Sequence, residues 1–327
     1  MMKLGYTLSS EEHAPNALVD QARRAEDIGF EFALISDHYH PWISAQGQSP
    51  FVWGVLGGVS RETKTLRVGT GVTCPLVRVH PAIVAHASAT AAAMFGPRFF
   101  LGVGTGERLN EHVLGDRWPP APERLDMLAE AIDLIKKLWS GAEVTEDGAY
   151  YSVEQARLYT LPERPPEILG AAGGGRAARL AASMTDGLIA VGSSPAVVQA
   201  FEEAGGEGRP RYGQLHCCWA PSEEEAVETA LRVWPTNAVP GVLNAELATP
   251  AQFEAATSIV TPDMLRQQMP LGPEPRSFLE QIQSFAEAGF DHVYLHQIGP
   301  DQEGFFRFCE RELLPEAARM RLGKPDA

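Results

Sequence analysis

The stretch "FALISDHYHPW" (32–42) determines how the rest of the chain is interpreted. Its apolar half, "FALIS" (32–36), has the length of one buried strand, and it leads directly into two histidines, a carboxylate and a tryptophan. Strands that are apolar on both faces are typical of a parallel sheet buried under helices. Polar and aromatic residues directly after such a strand indicate the edge where α/β enzymes place their active sites.

The same order of strand and helix recurs along the chain. Strand-like runs occur at 4–8, 32–36, 66–72, 98–106, 167–172, 187–192, 212–220 and 292–298. They precede helical patterns at about 15–28, 50–61, 81–95, 122–138, 174–184, 195–204, 222–234 and 301–314. These units predict an α/β fold of the (β/α)8 TIM-barrel type, with a doubly wound open sheet as the competing arrangement.

The chain has no composition shift that would mark a linker. Its 327 residues are a normal length for one α/β barrel. We therefore predict a single domain over residues 1–327. Two segments fall outside the repeat: a short hairpin excursion near 140–165 and a longer Pro- and Ala-rich insertion near 235–275.

Composition excludes several classes of function. The net charge of −15, with no block of basic residues, argues against nucleic-acid binding. No apolar run reaches the ~20 residues of a membrane span, and "MMKLGYTL" lacks the apolar core of a signal peptide. The four cysteines form no CxxC pair, so we expect a protein of the reducing cytoplasm that acts on a small molecule.

Titratable residues gather at the predicted carboxyl ends of the strands. Asp37 and His38 follow the second strand, Glu11 follows the first and Glu107 follows the fourth. An imidazole can move a proton near neutral pH, and a carboxylate can orient it or take its proton. Trp42 would supply a flat apolar wall. By themselves, Asp37 could be a helix cap and His38 a core histidine.

Two further patterns bear on the chemistry. "GAAGGG" (170–175) opens a helix and is either a phosphate cradle or a tight turn. "HYH" (38–40) suggests a metal site, but no HExxH motif or closely spaced third ligand accompanies it, so we predict no metal. With no nucleophile motif in the chain, the pattern favours redox chemistry on a bound cofactor over hydrolysis.

Several segments together resemble the luciferase-like superfamily of flavin and deazaflavin oxidoreductases, in its branch of F420-dependent glucose-6-phosphate dehydrogenases. They are "KLGYTLSSEEHAP" (3–15), "SDHYHPW" (36–42), "VGTGV" (68–72), "HPAIVAHASAT" (80–90), "RFFLGVGTGERLNE" (98–111), "LIKKLWSG" (134–141) and "AAGGG" (171–175). The resemblance covers most of residues 3–190. It implies a TIM barrel with an insertion, a homodimer and coenzyme F420 as cofactor.

The resemblance also implies a role for each matching position. His38 would be the acid/base that takes the alcohol proton, Glu107 its proton partner across the site, and Trp42 a cover over the reacting ring. Glu11 would lie beside the substrate or orient His38. The cofactor would lie against Asp37, Gly71, Val72, Cys74, Thr105, Gly106, Ala172, Gly173 and Gly174, with a non-prolyl cis peptide at Gly71–Val72.

Two departures from the branch matter for the substrate and the cofactor. Where the sugar-phosphate enzymes hold the phosphate with basic side chains, this chain aligns Ser194, Asn244 and Gln268, with Arg266 and Arg276 as nearby replacements. We therefore expect a neutral alcohol/carbonyl pair. The C-terminal half resembles a side branch of this group that is predicted to use FMN. The alternative function is therefore an FMN-dependent monooxygenase or reductase. A third hypothesis is a non-catalytic flavin-binding protein.

Overall fold

Eight parallel strands close into a barrel in the computed structural model, which describes residues 2–320. The barrel strands are β1 (Lys3–Leu8), β2 (Phe32–Ile35), β3 (Arg67–Thr70), β4 (Phe99–Val103), β7 (Glu167–Ala171), β8 (Gly187–Val191), β9 (Arg211–Cys217) and β10 (His292–Gln297). β5 (Val144–Asp147) and β6 (Ser152–Ala156) form a separate antiparallel hairpin. β1 pairs with both β2 and β10, which closes the barrel. The TIM-barrel prediction is therefore confirmed, and the alternative prediction of a doubly wound open sheet is wrong.

Helices surround the barrel and fill the connection before the last strand. They are α1 (Pro15–Ile28), α2 (Val52–Glu62), α3 (Pro81–Phe95), α4 (Arg108–Glu111), α5 (Ala121–Trp139), α6 (Gly175–Met184), α7 (Pro195–Phe201), α8 (Glu223–Val233), α9 (Gly241–Glu246), α10 (Pro250–Thr257), α11 (Pro262–Arg266), α12 (Pro275–Glu287), α13 (Gln302–Phe308) and α14 (Leu314–Met320). Proline in the first turn is common among them because the missing N–H would have no intrahelical partner there.

The barrel interior is filled by large side chains opposite small ones. Phe32, Phe100, Tyr212 and Tyr294 are fully buried inside it, in one cluster with three aliphatic side chains from neighbouring strands. A Cβ at Gly69 would overlap the ring of Phe100. Glycine in this strand therefore makes room for an aromatic ring, and the lower barrel is a packed core rather than a channel.

The connection between β9 and β10 differs from the simple repeat. The helix predicted at 222–234 forms as α8, but its buried face packs with Leu265 of α11 in a cluster separate from the main core. The helix that packs against β9 is α12, whose Phe278, Ile282 and Phe285 belong to the main core. The assignment of α8 as the covering helix of the seventh unit was therefore wrong, because the long excursion starts directly after β9.

The two expected excursions have definite structures. The hairpin β5–β6 lies within 140–165, and three short helices, α9 to α11, lie within 235–275. Of the residues described, none form a helix long and apolar enough to cross a membrane.

Candidate active site

A cavity of about 520 Å³ opens at the carboxyl ends of the barrel strands. Side chains or backbone on or directly after all eight strands line it, from Thr7 at β1 to His296 at β10. The parallel barrel thus brings residues from the whole chain to one place, as the sequence predicted. Most of the predicted site residues lie on its wall: Glu11, Asp37, His38, Trp42, Gly71, Val72, Cys74, Gly106, Glu107, Ala172, Gly173 and Asn244.

His38 lies between two hydrogen-bond acceptors. Its Nδ1 is 3.2 Å from the carbonyl oxygen of His40, and its Nε2 is 3.4 Å from Oε1 of Glu11. A carbonyl oxygen and a carboxylate only accept, so either ring nitrogen can carry a hydrogen here, and the carboxylate favours a proton on Nε2.

Glu11 is a buried carboxylate held in its charged form. Burial raises its pKa, but His38, the hydroxyl of Ser36 and His296 together lower it below the ordinary value of 4.5. Ser36 donates from Oγ to Oε2 of Glu11 at 2.5 Å, and Ser9 donates to the same oxygen at 3.2 Å. The carboxylate therefore has a fixed position and a permanent charge beside the imidazole.

Trp42 packs directly on the catalytic histidine candidate. Its ring centroid is 5.0 Å from that of His38, and on another side it meets the ring of Phe253 edge-on at 5.2 Å. Phe253 lies on α10, so the excursion before the last strand supports the indole from behind. The tryptophan is therefore fixed in the cavity wall and shields His38 from solvent.

Asp37 forms part of a buried ion cluster. Arg78 donates from Nη2 to Oδ1 of Asp37 at 2.9 Å, and Thr73 donates to Oδ2 at 2.8 Å. Arg78 also donates from its backbone N–H to Oε2 of Glu111 at 2.7 Å. Both oxygens of Asp37 thus have protein partners, and the guanidinium ties the segment after β3 to the segments after β2 and β4.

Two titratable groups near Glu107 have pKa values raised by their surroundings. Burial raises the pKa of Glu111, outweighing the opposite effect of Arg78, and nearby Glu107 and Asp37 add to the increase. Burial also raises the pKa of the Cys74 thiol, as do Glu111 and Glu107. Glu107 itself is half-buried at the start of α4 and makes no side-chain hydrogen bond within the described part of the chain. Its carboxyl group is therefore available to a ligand.

One wall of the cavity is apolar or lacks side chains. Val72, Ala172, Gly173 and Ile189 lie on it, and the peptide bond between Gly71 and Val72 is cis, as expected. A Cβ added at Gly173 would meet nothing within 4 Å, and helix α6, which begins at Gly175, has no side-chain cap. This wall suits a flat ring, and the bare turn suits an anionic group of the same ligand.

The opposite wall is aromatic and polar. His216 and His296 have ring centroids 4.9 Å apart, and Trp234 meets His296 edge-on at 4.3 Å. His296 Nε2 lies 3.0 Å from Oε2 of Glu12. Burial lowers the pKa of His216 well below 6.5, with a further lowering from His296. We call this the distal wall: His216, Trp234, Thr236, Asn237, Asn244 and His296.

Several predicted positions lie outside the cavity lining. Thr105 and Gly174 are adjacent to lining residues, and Ser194 is the residue directly before α7. Gln268 lies behind Asn237 and accepts from its side-chain amide at 3.4 Å. Arg266 pairs with Glu223 and Asp263, and Arg276 pairs with Glu280, all on the protein surface. The suggestion that these arginines compensate for the missing basic side chains was therefore wrong. No group of three metal-ligating side chains occurs within residues 2–320.

Sequence reasoning missed some residues of the site. Asn110 accepts from the backbone N–H groups of Tyr39 and His40 at 2.9 and 3.2 Å, so it fixes the turn that carries His38. Its place in the segment "ERLNE" was the available signal. Arg78 and Trp234 follow no predicted strand end directly, and only their contacts reveal them.

The chain is similar to several known proteins over almost its whole length. Residues 2–292 match the family described as luciferase-like monooxygenase. F420-dependent glucose-6-phosphate dehydrogenases of Microbacterium testaceum and Nocardia farcinica are each 33% identical, covering 96% of this chain and 97% of those proteins. A solved structure of an F420-dependent secondary alcohol dehydrogenase with an F420–acetone adduct has a TM-score of 0.89 and 29% identity, covering 96% of this chain and 98% of that one.

Proposed function

The chain belongs to the luciferase-like monooxygenase family, and from this premise we propose that it is an F420-dependent oxidoreductase that interconverts a neutral alcohol and its carbonyl compound. The observation that carries the proposal is the His38–Glu11 pair, which lies in one cavity with Glu107 and an apolar wall. The likeness to F420-dependent relatives over 96% of the chain supports the cofactor.

The residues present fit the deazaflavin. Val72, Ala172 and Gly173 offer a flat surface without charge, and Gly106 leaves room beside Cys74, because a Cβ at Gly106 would lie 2.6 Å from the sulfur. The uncapped start of α6 offers free N–H groups to a phosphate. When bound there, F420 supplies the hydride acceptor for the carbinol carbon.

In this proposal, His38 is the acid/base that takes the substrate proton and returns it. The neutral ring takes the hydroxyl proton on Nε2, and the charge of Glu11, 3.4 Å away, stabilises the imidazolium that forms. The carbonyl oxygen of His40 keeps Nδ1 and the ring plane in place. In the reverse direction the same group returns the proton to the carbonyl oxygen. Glu107, on the segment after β4, would exchange the separate proton that the cofactor gains on reduction and loses on reoxidation.

Charge selects a neutral substrate. The carboxylates of Glu11, Asp37 and Glu107 line the cavity, and no Lys or Arg lies on its described wall. Arg78 is already paired with Asp37 and Glu111. A phosphate buried here would lack a cationic partner, which costs several kcal/mol.

The test is a cofactor titration followed by turnover. Trp42 and Trp234 line the cavity, so F420 should quench the intrinsic fluorescence, and neutral alcohols should then reduce the cofactor. His38→Gln should keep the quenching and lose most of the turnover, while His86→Gln, exposed on α3, should keep both. Quenching by FMN and not by F420 would mean that the cofactor is FMN. A protein that binds F420 but oxidises no alcohol would end the proposal.

A further inference from the structure

Unpartnered polar atoms converge on the cavity. Among residues 2–320, six buried side-chain atoms on its wall have no hydrogen-bond partner: Thr7 Oγ1, Asn110 Nδ2, Glu111 Oε1, Thr236 Oγ1, Asn244 Oδ1 and His296 Nδ1. Buried polar groups are almost always paired in folded proteins. Glu111 Oε1 has an arginine nitrogen at 3.5 Å, but the three atoms on the distal wall have no such neighbour. This concentration indicates a ligand that supplies the partners.

His296 shows what kind of partner is needed. Its Nε2 contacts the Glu12 carboxylate, which only accepts, so Nε2 carries a hydrogen and Nδ1 is the ring nitrogen that is left for a ligand. Glu12 is fixed in turn by the backbone N–H of Gly299 at 2.8 Å. A hydroxyl group pairs with this nitrogen in either state, because it donates to a bare Nδ1 and accepts from an Nδ1–H.

The rest of the distal wall has the same character. Thr236 and Asn244 each present an unpartnered oxygen, and Asn237 and Gln214 add neutral amides to the same cavity. These four residues lie in two segments of the chain, β9 and residues 234–244. A hydroxyl both donates and accepts, so several hydroxyls on neighbouring carbons would satisfy this wall, whereas an alkyl group would leave it unpaired.

We propose that the substrate is an uncharged polyhydroxylated alcohol, a sugar alcohol or an unphosphorylated sugar, whose hydroxyls bind His296 Nδ1, Asn244 Oδ1 and Thr236 Oγ1. This inference rests on the proposed function and names its substrate class. In the reaction the carbinol C–H bond breaks and its electron pair leaves as hydride to the oxidised cofactor. The hydroxyl proton passes to His38, and the carbinol becomes a carbonyl group.

The experiment compares three probes on the purified protein: D-sorbitol, propan-2-ol and D-glucose 6-phosphate. Binding of each is measured by ligand-observed NMR without cofactor, and kcat/KM is measured with saturating F420. We expect sorbitol to bind and to exceed both other probes in kcat/KM by at least roughly tenfold, because a wall built for hydroxyls discriminates against a ligand that leaves it unpaired.

Two variants test the assignment of the wall. Thr236→Val and Asn244→Leu remove one hydrogen-bonding group each at similar size. Each should lower the ratio of kcat/KM for sorbitol to that for propan-2-ol by roughly five- to tenfold. Thr90→Val, exposed on α3 away from the cavity, is the matched control and should leave the ratio unchanged.

The outcomes separate this inference from the proposed function. F420 binding with propan-2-ol or glucose 6-phosphate preferred, and with no change of ratio in the variants, would overturn the polyol and leave the oxidoreductase intact. Sorbitol binding that depends on Thr236 and Asn244, in a protein that ignores F420, would support the wall and overturn the cofactor. Loss of both signals would overturn both.

Discussion

His38 Nε2 lies 3.4 Å from Glu11 Oε1, and both side chains are shielded from solvent. The carboxylate is charged because its pKa is lowered by His38 and by the hydroxyl of Ser36, against the effect of burial. In the proposed reaction, this charge stabilises the imidazolium that His38 becomes when it takes the substrate proton.

Glu11→Gln removes that charge with little change of shape. We expect kcat for alcohol oxidation to fall by about 10- to 100-fold, the usual range for loss of part of an acid–base pair, with little change in F420 binding. Steady-state kinetics and an F420 titration check this, with Glu62→Gln on the exposed end of α2 as control. An unchanged kcat in Glu11→Gln would contradict the assignment.

The low pKa of His216 predicts an acid-sensitive fold. The ordinary imidazole pKa is 6.5, and burial, with His296 nearby, lowers that of His216 well below this value. As pH falls below 6.5 the unfolded chain binds a proton that the folded chain does not, so the free energy of unfolding decreases until the folded-state pKa is passed.

His216→Gln should therefore flatten the decline of stability between pH 6.5 and more acidic values, which urea unfolding at several pH values would measure. His86→Gln, on the exposed face of α3, should leave the slope as it is. Equal slopes in the wild type and in both variants would show that the proton uptake lies elsewhere.

The Arg78 cluster predicts a large loss of stability on substitution. Arg78→Met leaves the carboxylates of Asp37 and Glu111 buried without their cation, which costs about 3–5 kcal/mol of unfolding free energy. Arg276→Met, which breaks an exposed pair with Glu280, should cost no more than about 1 kcal/mol. Denaturant unfolding of the two variants gives the comparison. Similar losses would mean that the buried cluster contributes no more than a surface pair.

Replacement of glycine by alanine should have opposite effects on stability at two positions, one in β3 and one in α2. Gly69→Ala forces a Cβ into the ring of Phe100 and should destabilise the barrel by about 1–3 kcal/mol. Gly54→Ala, exposed in α2 with nothing within 4 Å of the new Cβ, should stabilise it by about 0.5–1 kcal/mol. Thermal unfolding of both variants measures the sign.

Much of the barrel and the catalytic side of the cavity could be predicted from the sequence. In a parallel barrel the strand order alone brings the strand ends together, so Glu11, His38 and Glu107 could be placed in one site before any coordinates. Helix α12 was missed although its apolar residues Phe278, Ile282 and Phe285 recur with helical spacing. The predicted excursion ends near 275, where α12 begins, and no element is predicted between it and the last strand.

Only part of the distal wall could be predicted from the sequence. The resemblance places Asn244 in the substrate pocket, whereas Trp234 and Thr236 belong to a connection that no strand register fixes. Trp234 packs there in one cluster with Cys218 and Leu265. Hydrogen-bond partners also decide roles that residue type cannot. Asp37 looked like a ligand-facing carboxylate, yet both its oxygens are held by Thr73 and Arg78.

The excursion between β9 and β10 separates two tasks along the chain. The surface suited to the cofactor comes from segments before residue 192, whereas Trp234, Thr236 and Asn244 come from the connection after β9. Natural variation in that connection can accordingly change what the protein accepts while leaving its redox partner untouched. Residues 234–244 are therefore the segment to exchange when a different substrate is wanted with the same cofactor.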